Sequence, residues 1–255
     1  MKNIRLIASR SSEDTKPFLT RLFERIQTQP LPASEIFSVP AEPIQKPRTP
    51  PNWQSGKYRP STTPKATIVV LAASTGGPDA LRHILSRLPA TIPAPVLIVQ
   101  HMSTYFIEGF VGHLQCASTM PCHMAKQGER LLPSHIYVAP GDHHLLAASK
   151  PHNATIQLTQ SPPEHFCRPA ADPLLRSVAK LYGKHALAII LTGMGEDGLD
   201  GARHIREAGG TVIIQNKESS IVWGMPGAIA REKLYQHILP LTAIPEAILD
   251  YTLGT

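Results

Sequence analysis

Three residue types that together catalyse acyl transfer occur in this chain, each after a stretch typical of a buried strand. Ser74 follows one apolar run, His101 follows the next, and Asp197 follows a third. A serine hydroxyl becomes nucleophilic when a base accepts its proton, and an imidazole suits that task near neutral pH. A carboxylate on the other ring nitrogen fixes the tautomer and stabilises the imidazolium. These residue types therefore indicate hydrolysis through a covalent acyl-serine.

The order Ser74, His101, Asp197 differs from that of α/β-hydrolases, in which the acidic residue precedes the histidine. Ala72 also replaces the first glycine of their G-x-S-x-G turn. Backbone N–H groups in the glycine-rich turn over 193–195 could form the donor pair that an acyl-transfer intermediate needs. Taken singly, each of the three residues is more often a cap, a turn former or a polar residue at a strand end.

Short apolar strands that alternate with amphipathic helices must position these residues. Strands are expected over 67–71, 95–100, 186–191 and 210–215, and the main helices over 78–88, 106–114, 225–234 and 244–253. A further helix is expected after Asp172, which could cap it, and another after Asp197, ending near Ala208. The alternation predicts an α/β fold: a doubly wound, mainly parallel sheet flanked by helices, with functional groups at the strand carboxyl ends. Short alternating pieces predict a β-hairpin insertion over about 122–160.

Charge and proline divide the chain into two parts. Residues 1–66 hold eleven Lys or Arg against five Asp or Glu, so this segment supplies the whole formal excess of +6. Nine prolines lie between residues 30 and 64, where too little apolar surface is present to fold. We predict a basic Pro-rich segment over 1–65, mostly linker or disordered, and a folded domain over 66–255. Because the folded part has balanced charge, no nucleic-acid partner is expected.

Cysteine use and hydropathy favour a cytoplasmic protein. Three cysteines without a C-x-x-C pair argue against a disulfide framework or a zinc site. The amino terminus is too charged for a signal peptide, and no apolar run approaches a membrane span, so no membrane insertion is expected. His143 and His144 lie beside Asp142 without a third ligand at zinc-enzyme spacing, so no metal is predicted.

A set of motifs is more specific than the three residues alone. The motifs are A-S-T-G-G-P at 73–78, Q-H-M at 100–102, G-E-R at 128–130, V-A-P-G-D at 138–142, C-R-P-A-A-D at 167–172, L-T-G-M-G-E-D-G at 191–198 and G-M-P at 224–226. In this order and spacing they resemble the catalytic domain of the chemotaxis receptor methylesterases (CheB type), over roughly residues 67–250. That family hydrolyses glutamate γ-methyl esters on chemoreceptor helices and releases methanol, and some members also deamidate glutamine.

The resemblance implies a role for each matching residue. Ser74 would be the nucleophile, His101 the base and Asp197 the partner that orients the base. Three further residues would line the oxyanion hole or the substrate site: Met194 through its backbone N–H, Thr75 and Arg168. The resemblance implies no metal and no organic cofactor. The implied partner is a methylated protein, namely the cytoplasmic helices of a chemoreceptor.

The sequence departs from the family at a few places. Ala72 stands where the family often has Gly, and Ala170 where Ser is usual after Arg-Pro. Members usually begin with a phospho-acceptor receiver domain, for which residues 1–66 are too short, and Ser11 and Ser12 occupy the place of its acidic pair. Phosphorylation control through a fused receiver is therefore not expected.

Two other classes of function remain open. One is a non-catalytic regulatory or binding module that keeps the methylesterase fold. The other is a nucleotide-binding α/β domain with Ala73–Gly77 as its phosphate turn, although G-x-G-x-x-G and the Walker lysine are missing. Labelling of Ser74 by a fluorophosphonate distinguishes the esterase from both. The sequence leaves the oligomeric state and the balance of esterase to deamidase activity open.

Overall fold

The computed structural model describes residues 57–60, 62–149 and 153–254, and their strands fall into two sheets. The strands are β1 (Ile68–Ala73), β2 (Val96–Gln100), β3 (Cys122–Met124), β4 (Ile136–Val138), β5 (His144–Ala148), β6 (Thr155–Thr159), β7 (Ala186–Ile190), β8 (Thr211–Gln215) and β9 (His237–Leu239). The α-helices are α1 (Gly77–Leu85), α2 (Thr104–Ala117), α3 (Ala171–Tyr182), α4 (Leu199–Glu207), α5 (Met225–Arg231) and α6 (Ile244–Leu253). Among the described residues, no helix combines the length and apolar character needed to cross a membrane.

The larger sheet is parallel throughout, with strand order β3-β4-β2-β1-β7-β8-β9. Its central strand β1 is buried along its whole length, because helices cover both faces. Alternate residues of β1 face opposite cores: Val69 and Leu71 pack with α1, α2 and α6, whereas Ile68 and Val70 pack with α3, α4 and α5. The predicted doubly wound α/β fold is confirmed.

The predicted β insertion over 122–160 divides into two different structures. Among the described residues of this insertion, only β5 and β6 pair as antiparallel strands, and they pack with the core on the α3 side of the sheet. β3 and β4 instead extend the main sheet in parallel beyond β2. Strands of three residues carry too little periodicity to distinguish parallel from antiparallel pairing, and β9, also three residues long, was not predicted.

The described residues before the predicted boundary at Ala66 contact the last helix. The backbone N–H groups of Tyr58 and Arg59 donate to the Asp250 carboxylate at 2.6 and 2.8 Å. This short segment therefore packs on α6, although the sequence placed it in the linker. The sequence also suggests a short strand over 4–8 and a helix over 16–26; both, and most of the Pro-rich segment, lie outside the described residues. The division into two parts therefore stays a prediction.

Candidate active site

The three central strands carry the candidate residues to the same edge of the sheet. Ser74 directly follows β1, His101 directly follows β2, and Asp197 lies in the loop after β7. Because β1 is the strand between β2 and β7, this is the topological switch point at which α/β folds place their sites. Backbone pairing extends past the strands: the Ser74 N–H donates to the Thr192 carbonyl, and the His101 N–H to the Ala73 carbonyl, both at 3.0 Å.

The Gln100 side chain links the two strand ends. Its amide nitrogen donates to the carbonyl oxygens of Ser74 at 2.9 Å and His101 at 3.0 Å. The amide lies so close to the first turn of α1 that a Cβ at Gly77 would be 2.0 Å from the Gln100 Oε1. A Cβ at residue 77 would also lie 2.7 Å from the Ala73 Cβ, which has no freedom to move away, so glycine is favoured there. The Gln100 amide links the serine and the histidine backbones and holds them in position. The sequence motifs contained this glutamine without revealing its role.

His101 and Asp197 form a buried pair. The His101 Nε2 lies 2.6 Å from the Asp197 Oδ2, with the two side chains only 10% and 1% exposed. The same carboxylate accepts the N–H groups of Ala171 at 2.5 Å and Asp172 at 3.0 Å, in the first turn of α3. Burial acts to raise the pKa of Asp197, but its hydrogen bonds with His101 and with these N–H groups outweigh burial and hold the pKa below its ordinary value. Asp197 is therefore ionised at neutral pH.

A second buried carboxylate, that of Asp172, lies next to the Asp197 carboxylate. Asp172 accepts the Gly201 N–H at 2.6 Å in the first turn of α4 and bonds His165 Nε2 at 2.8 Å. Burial, together with the neighbouring Asp197, raises the pKa of Asp172. The sequence suggested Asp172 as the N-cap of its own helix. That prediction is wrong, because the N-cap is Ala170 and the Asp172 side chain caps α4 instead.

These carboxylates also define the one cluster of cation-ligand type found within the described ranges. The potential ligand atoms of His165, Asp172 and Asp197 lie within 4.8 Å of one another. Each carboxylate already accepts backbone N–H and imidazole hydrogen bonds, which account for its negative charge without a cation. That no metal takes part stays a prediction.

Burial and hydrogen bonding act in opposite directions on His101. Burial lowers its pKa, but the hydrogen bond with Asp197, the nearby Cys167 side chain and the charge of Asp197 raise the pKa to about 9. The pair therefore stabilises the imidazolium, the form that His101 takes after accepting a proton. Cys167 belongs to a motif recognised in the sequence, but nothing in the sequence indicated its contact with His101.

We expect the kcat/KM of ester hydrolysis to rise with pH up to about pH 9. Only neutral His101 can accept the serine proton, so the rate falls about tenfold for each pH unit below this pKa and reaches about one hundredth of its plateau at pH 7. The measurement is kcat/KM for p-nitrophenyl acetate from pH 6 to 10, corrected with enzyme-free blanks. A profile that is flat between pH 6 and pH 9 would contradict the expectation.

Ser74 lies in the turn between β1 and α1, beside unused backbone donors. Among the described residues, the N–H groups of Thr75 and Met194 donate to no protein acceptor, whereas the Ser74 N–H is already paired. No hydrogen bond joins the Ser74 hydroxyl to His101 in this structure. The His101 Nε2 faces Asp197 instead. The His101 Nδ1 is therefore the nitrogen left to accept the serine proton. The predicted oxyanion role of Met194 and the predicted site role of Thr75 fit these free donors and stay predictions.

The turn after β7 packs directly against the serine. A Cβ at Gly193 would lie 2.3 Å from the Met225 Sδ and 2.8 Å from the Ser74 Cβ. Only glycine therefore allows this turn and the Ser74 turn to approach so closely.

Gly193→Ala is expected to lower kcat about a hundredfold, since a shift of about 1 Å in a reacting group has an effect of that size. The measurement is kcat for ester hydrolysis, with the thermal unfolding midpoint recorded in parallel. Gly112→Ala is the matched control, because a Cβ there meets nothing within 4 Å, and it should keep the parental kcat. Equal kcat for both variants would contradict the proposed close contact.

The Arg168 side chain is held by the protein itself. Its guanidinium binds the Asp142 carboxylate and donates to the carbonyl oxygens of Gln160 and Ser161 at 3.0 Å each. The hydrogen bond from Arg168 is the largest influence on Asp142 and lowers its pKa. These bonds hold the segment around Arg168, between β6 and α3, in place. The predicted contact of Arg168 with substrate stays a prediction.

Comparison with known proteins gives a consistent result. Residues 69–248 match the family model described as CheB methylesterase. A protein-glutamate methylesterase/protein-glutamine glutaminase from Maricaulis maris is 40% identical over 223 residues, which are 88% of this chain and 53% of that protein. A relative of the same name from Nitrosospira multiformis is 48% identical over 185 residues, 72% of this chain and 51% of its own length. The chain thus spans about half the length of these curated relatives.

A solved structure has the same architecture. The crystal structure of the Thermotoga maritima CheB methylesterase catalytic domain matches with a TM-score of 0.71 at 38% identity, covering 72% of this chain and 98% of that one. The family model covers most of the sheet and of the helices that flank it. This chain therefore belongs to the CheB methylesterase family.

Proposed function

We propose that this protein is a serine hydrolase that cleaves glutamate γ-methyl esters on proteins to glutamate and methanol. The observation that carries the proposal is the buried His101–Asp197 pair at 2.6 Å, at the end of the strand next to Ser74. The names of the relatives support the substrate class. The first candidate substrate that we propose is a chemoreceptor, and the proposed role is that of a cytoplasmic enzyme of chemotaxis adaptation.

In the acylation half-reaction, Ser74 attacks the γ-carbonyl carbon of the ester. The serine proton passes to His101, and the ionised Asp197 stabilises the resulting imidazolium. The negative charge that develops on the carbonyl oxygen accepts hydrogen bonds from the Thr75 and Met194 N–H groups. The C–O bond to the methyl group's oxygen then breaks, and methanol departs with the proton from His101. An acyl-serine remains.

Deacylation repeats the same steps with water. His101 accepts a proton from the water molecule, whose oxygen attacks the acyl carbon, and then returns that proton to the Ser74 oxygen as the acyl bond breaks. The product is a glutamate side chain on the substrate protein. Apart from the water molecule, no step of this proposed mechanism requires a group that the chain itself does not supply.

Glutamine deamidation is a second candidate activity of the same site. An amide presents the same carbonyl geometry to Ser74, and ammonia replaces methanol as the leaving group. Both activities appear in the names of the relatives. An amide nitrogen must be protonated before it leaves, so the imidazolium formed by His101 is more important for deamidation than for ester hydrolysis.

The test is methanol release from chemoreceptor membranes that carry radiolabelled methyl esters. The full chain should release labelled methanol, and Ser74→Ala should not. A fluorophosphonate should label Ser74 in the same preparation. If Ser74 is labelled but no methanol appears, the protein is a serine hydrolase whose substrate lies elsewhere. If neither occurs, the proposal is wrong, and a non-catalytic binding module takes its place.

A further inference from the structure

Three large apolar side chains are highly exposed next to the proposed catalytic residues. Phe166 is fully exposed, Ile221 is 75% exposed and Met194 is 69% exposed. We call these three residues the apolar rim. Exposed apolar side chains that cluster at one place are typical of a binding surface.

Direct neighbours connect two members of the apolar rim to the serine turn. Ile221 packs over that turn, because a Cβ at Gly76 would lie 2.7 Å from the Ile221 Cγ1. Met194 follows Gly193, whose Cβ position is 2.8 Å from the Ser74 Cβ. The Ile221 side chain therefore lies against the serine turn, and Met194 directly follows a residue that packs against Ser74.

Phe166 lies in the loop beside the His101–Asp197 pair instead. The potential ligand atom of the preceding residue, His165, lies within 4.8 Å of that of Asp197, and the next residue, Cys167, lies close enough to His101 to raise its pKa. Phe166 lies at the tip of a tight turn closed by two backbone hydrogen bonds between Glu164 and Cys167, at 3.1 and 2.8 Å. The apolar rim thus borders both the serine and the base.

The turn that carries Phe166 is strained and firmly anchored. His165 and Phe166 both have positive φ, 50° and 62°, a conformation that non-glycine residues rarely adopt. His165 is held by Asp172 at 2.8 Å, and Glu164 is held by Arg176 at 2.5 Å. Strain of this kind persists where neighbouring contacts enforce it, and it occurs often at functional sites. The anchors fix the backbone and leave the phenyl ring in solvent.

We infer that the apolar rim, with Phe166 as its main contact, selects protein substrates by binding apolar side chains that flank the esterified glutamate. This inference rests on the proposed function and names what the site recognises beyond the ester. A small ester needs to contact only the residues around Ser74. A polypeptide that presents a glutamyl ester to Ser74 must also lie across the apolar rim. Methylation also removes the glutamate charge, so the modified segment is less polar and suits an apolar surface.

The test compares one protein substrate with one small ester. Phe166→Ala should lower kcat/KM on methylated receptor membranes about tenfold, mainly through KM, because burial of a phenyl ring contributes binding of that order. Hydrolysis of p-nitrophenyl acetate and fluorophosphonate labelling of Ser74 should be unchanged. Phe166→Leu should restore most of the kcat/KM on the protein.

The control variant removes an exposed apolar side chain at a distance from the site. Leu132, 42% exposed, precedes β4 and so lies towards the opposite edge of the sheet. Leu132→Ala should leave both activities unchanged. Thermal unfolding midpoints verify that each variant is folded. Because the Phe166 side chain is fully exposed, Phe166→Ala should fold as the parental protein does.

Several outcomes would overturn the inference. If Phe166→Ala keeps the parental kcat/KM on methylated receptors, the apolar rim does not select the substrate. An equal loss on the small ester would show that Phe166 acts through His101 instead. A dimer that Phe166→Ala dissociates, with kcat/KM unchanged, would assign the rim to a second copy of this chain. These results leave the proposed function intact, whereas a parental protein that releases no methanol from any methylated protein contradicts both proposals.

Discussion

Replacing Ser74 with alanine is expected to lower kcat for methyl-ester hydrolysis by about 10⁵-fold or more. The variant has no oxygen nucleophile to form the acyl intermediate, and losing the nucleophile from a serine triad has an effect of about this size. The residual rate comes from water attack assisted by the backbone donors and by substrate binding. The measurement is single-turnover release of labelled methanol from methylated chemoreceptors, with fluorophosphonate labelling as a second readout.

The Ser74→Ala variant should fold normally. The hydrogen bonds that the structure assigns to Ser74 use its backbone: the N–H donates to Thr192, and the carbonyl accepts from Gly77 and Gln100. An alanine keeps all of them, so the thermal midpoint should not change. Ser103→Ala is a matched control at the same edge of the sheet, where the side chain makes no capping hydrogen bond to α2. If Ser74→Ala keeps more than about a hundredth of the parental kcat, the nucleophile is another group.

The architecture could be predicted because the long buried strands are easy to recognise in the sequence. β1, β2, β7 and β8 are continuous apolar runs separated by amphipathic helices, and such runs form parallel sheets covered on both faces. A parallel sheet brings strand carboxyl ends to one edge, so residues that directly follow two of these strands, Ser74 and His101, were expected to be neighbours. For the same reason, the loop that contains Asp197 was expected at that edge.

The interactions of the site could not be predicted from the sequence. The Asp197 carboxylate accepts N–H groups from the first turn of α3, which lies 25 or more residues earlier in the chain. Asp172 belongs to the same first turn of α3, and its side chain caps α4. Local sequence signals describe how a residue caps its own helix, and they carry no information on a carboxylate that caps another. Likewise, no pattern indicated the contact between Cys167 and His101 or the strained turn at Phe166.

Replacing Asp197 with asparagine should lower the plateau kcat about 10⁴-fold, as loss of the orienting carboxylate does in other serine triads. The Asp197 carboxylate accepts hydrogen bonds on both oxygens: His101 and the Ala171 N–H share Oδ2, and the Asp172 N–H bonds Oδ1. An asparagine offers one oxygen and one NH₂ group. Whichever way the amide is turned, its NH₂ group faces a backbone N–H of α3 or the His101 ring. Either orientation disturbs the imidazole or the helix that holds it.

The same substitution should also move the rising limb of the pH profile. With the negative charge removed, the pKa of His101 is expected to fall from about 9 towards the ordinary histidine range near 6.5. The activity of Asp197→Asn should therefore stop rising at a lower pH than that of the parental protein, which a loss of folded protein would not produce. Asp200→Asn is the control, because Asp200 lies in the first turn of α4 and pairs with Arg176 and Arg203 rather than with His101. If Asp197→Asn keeps an inflection near pH 9 while Asp200→Asn loses it, Asp197 does not set the pKa of the base.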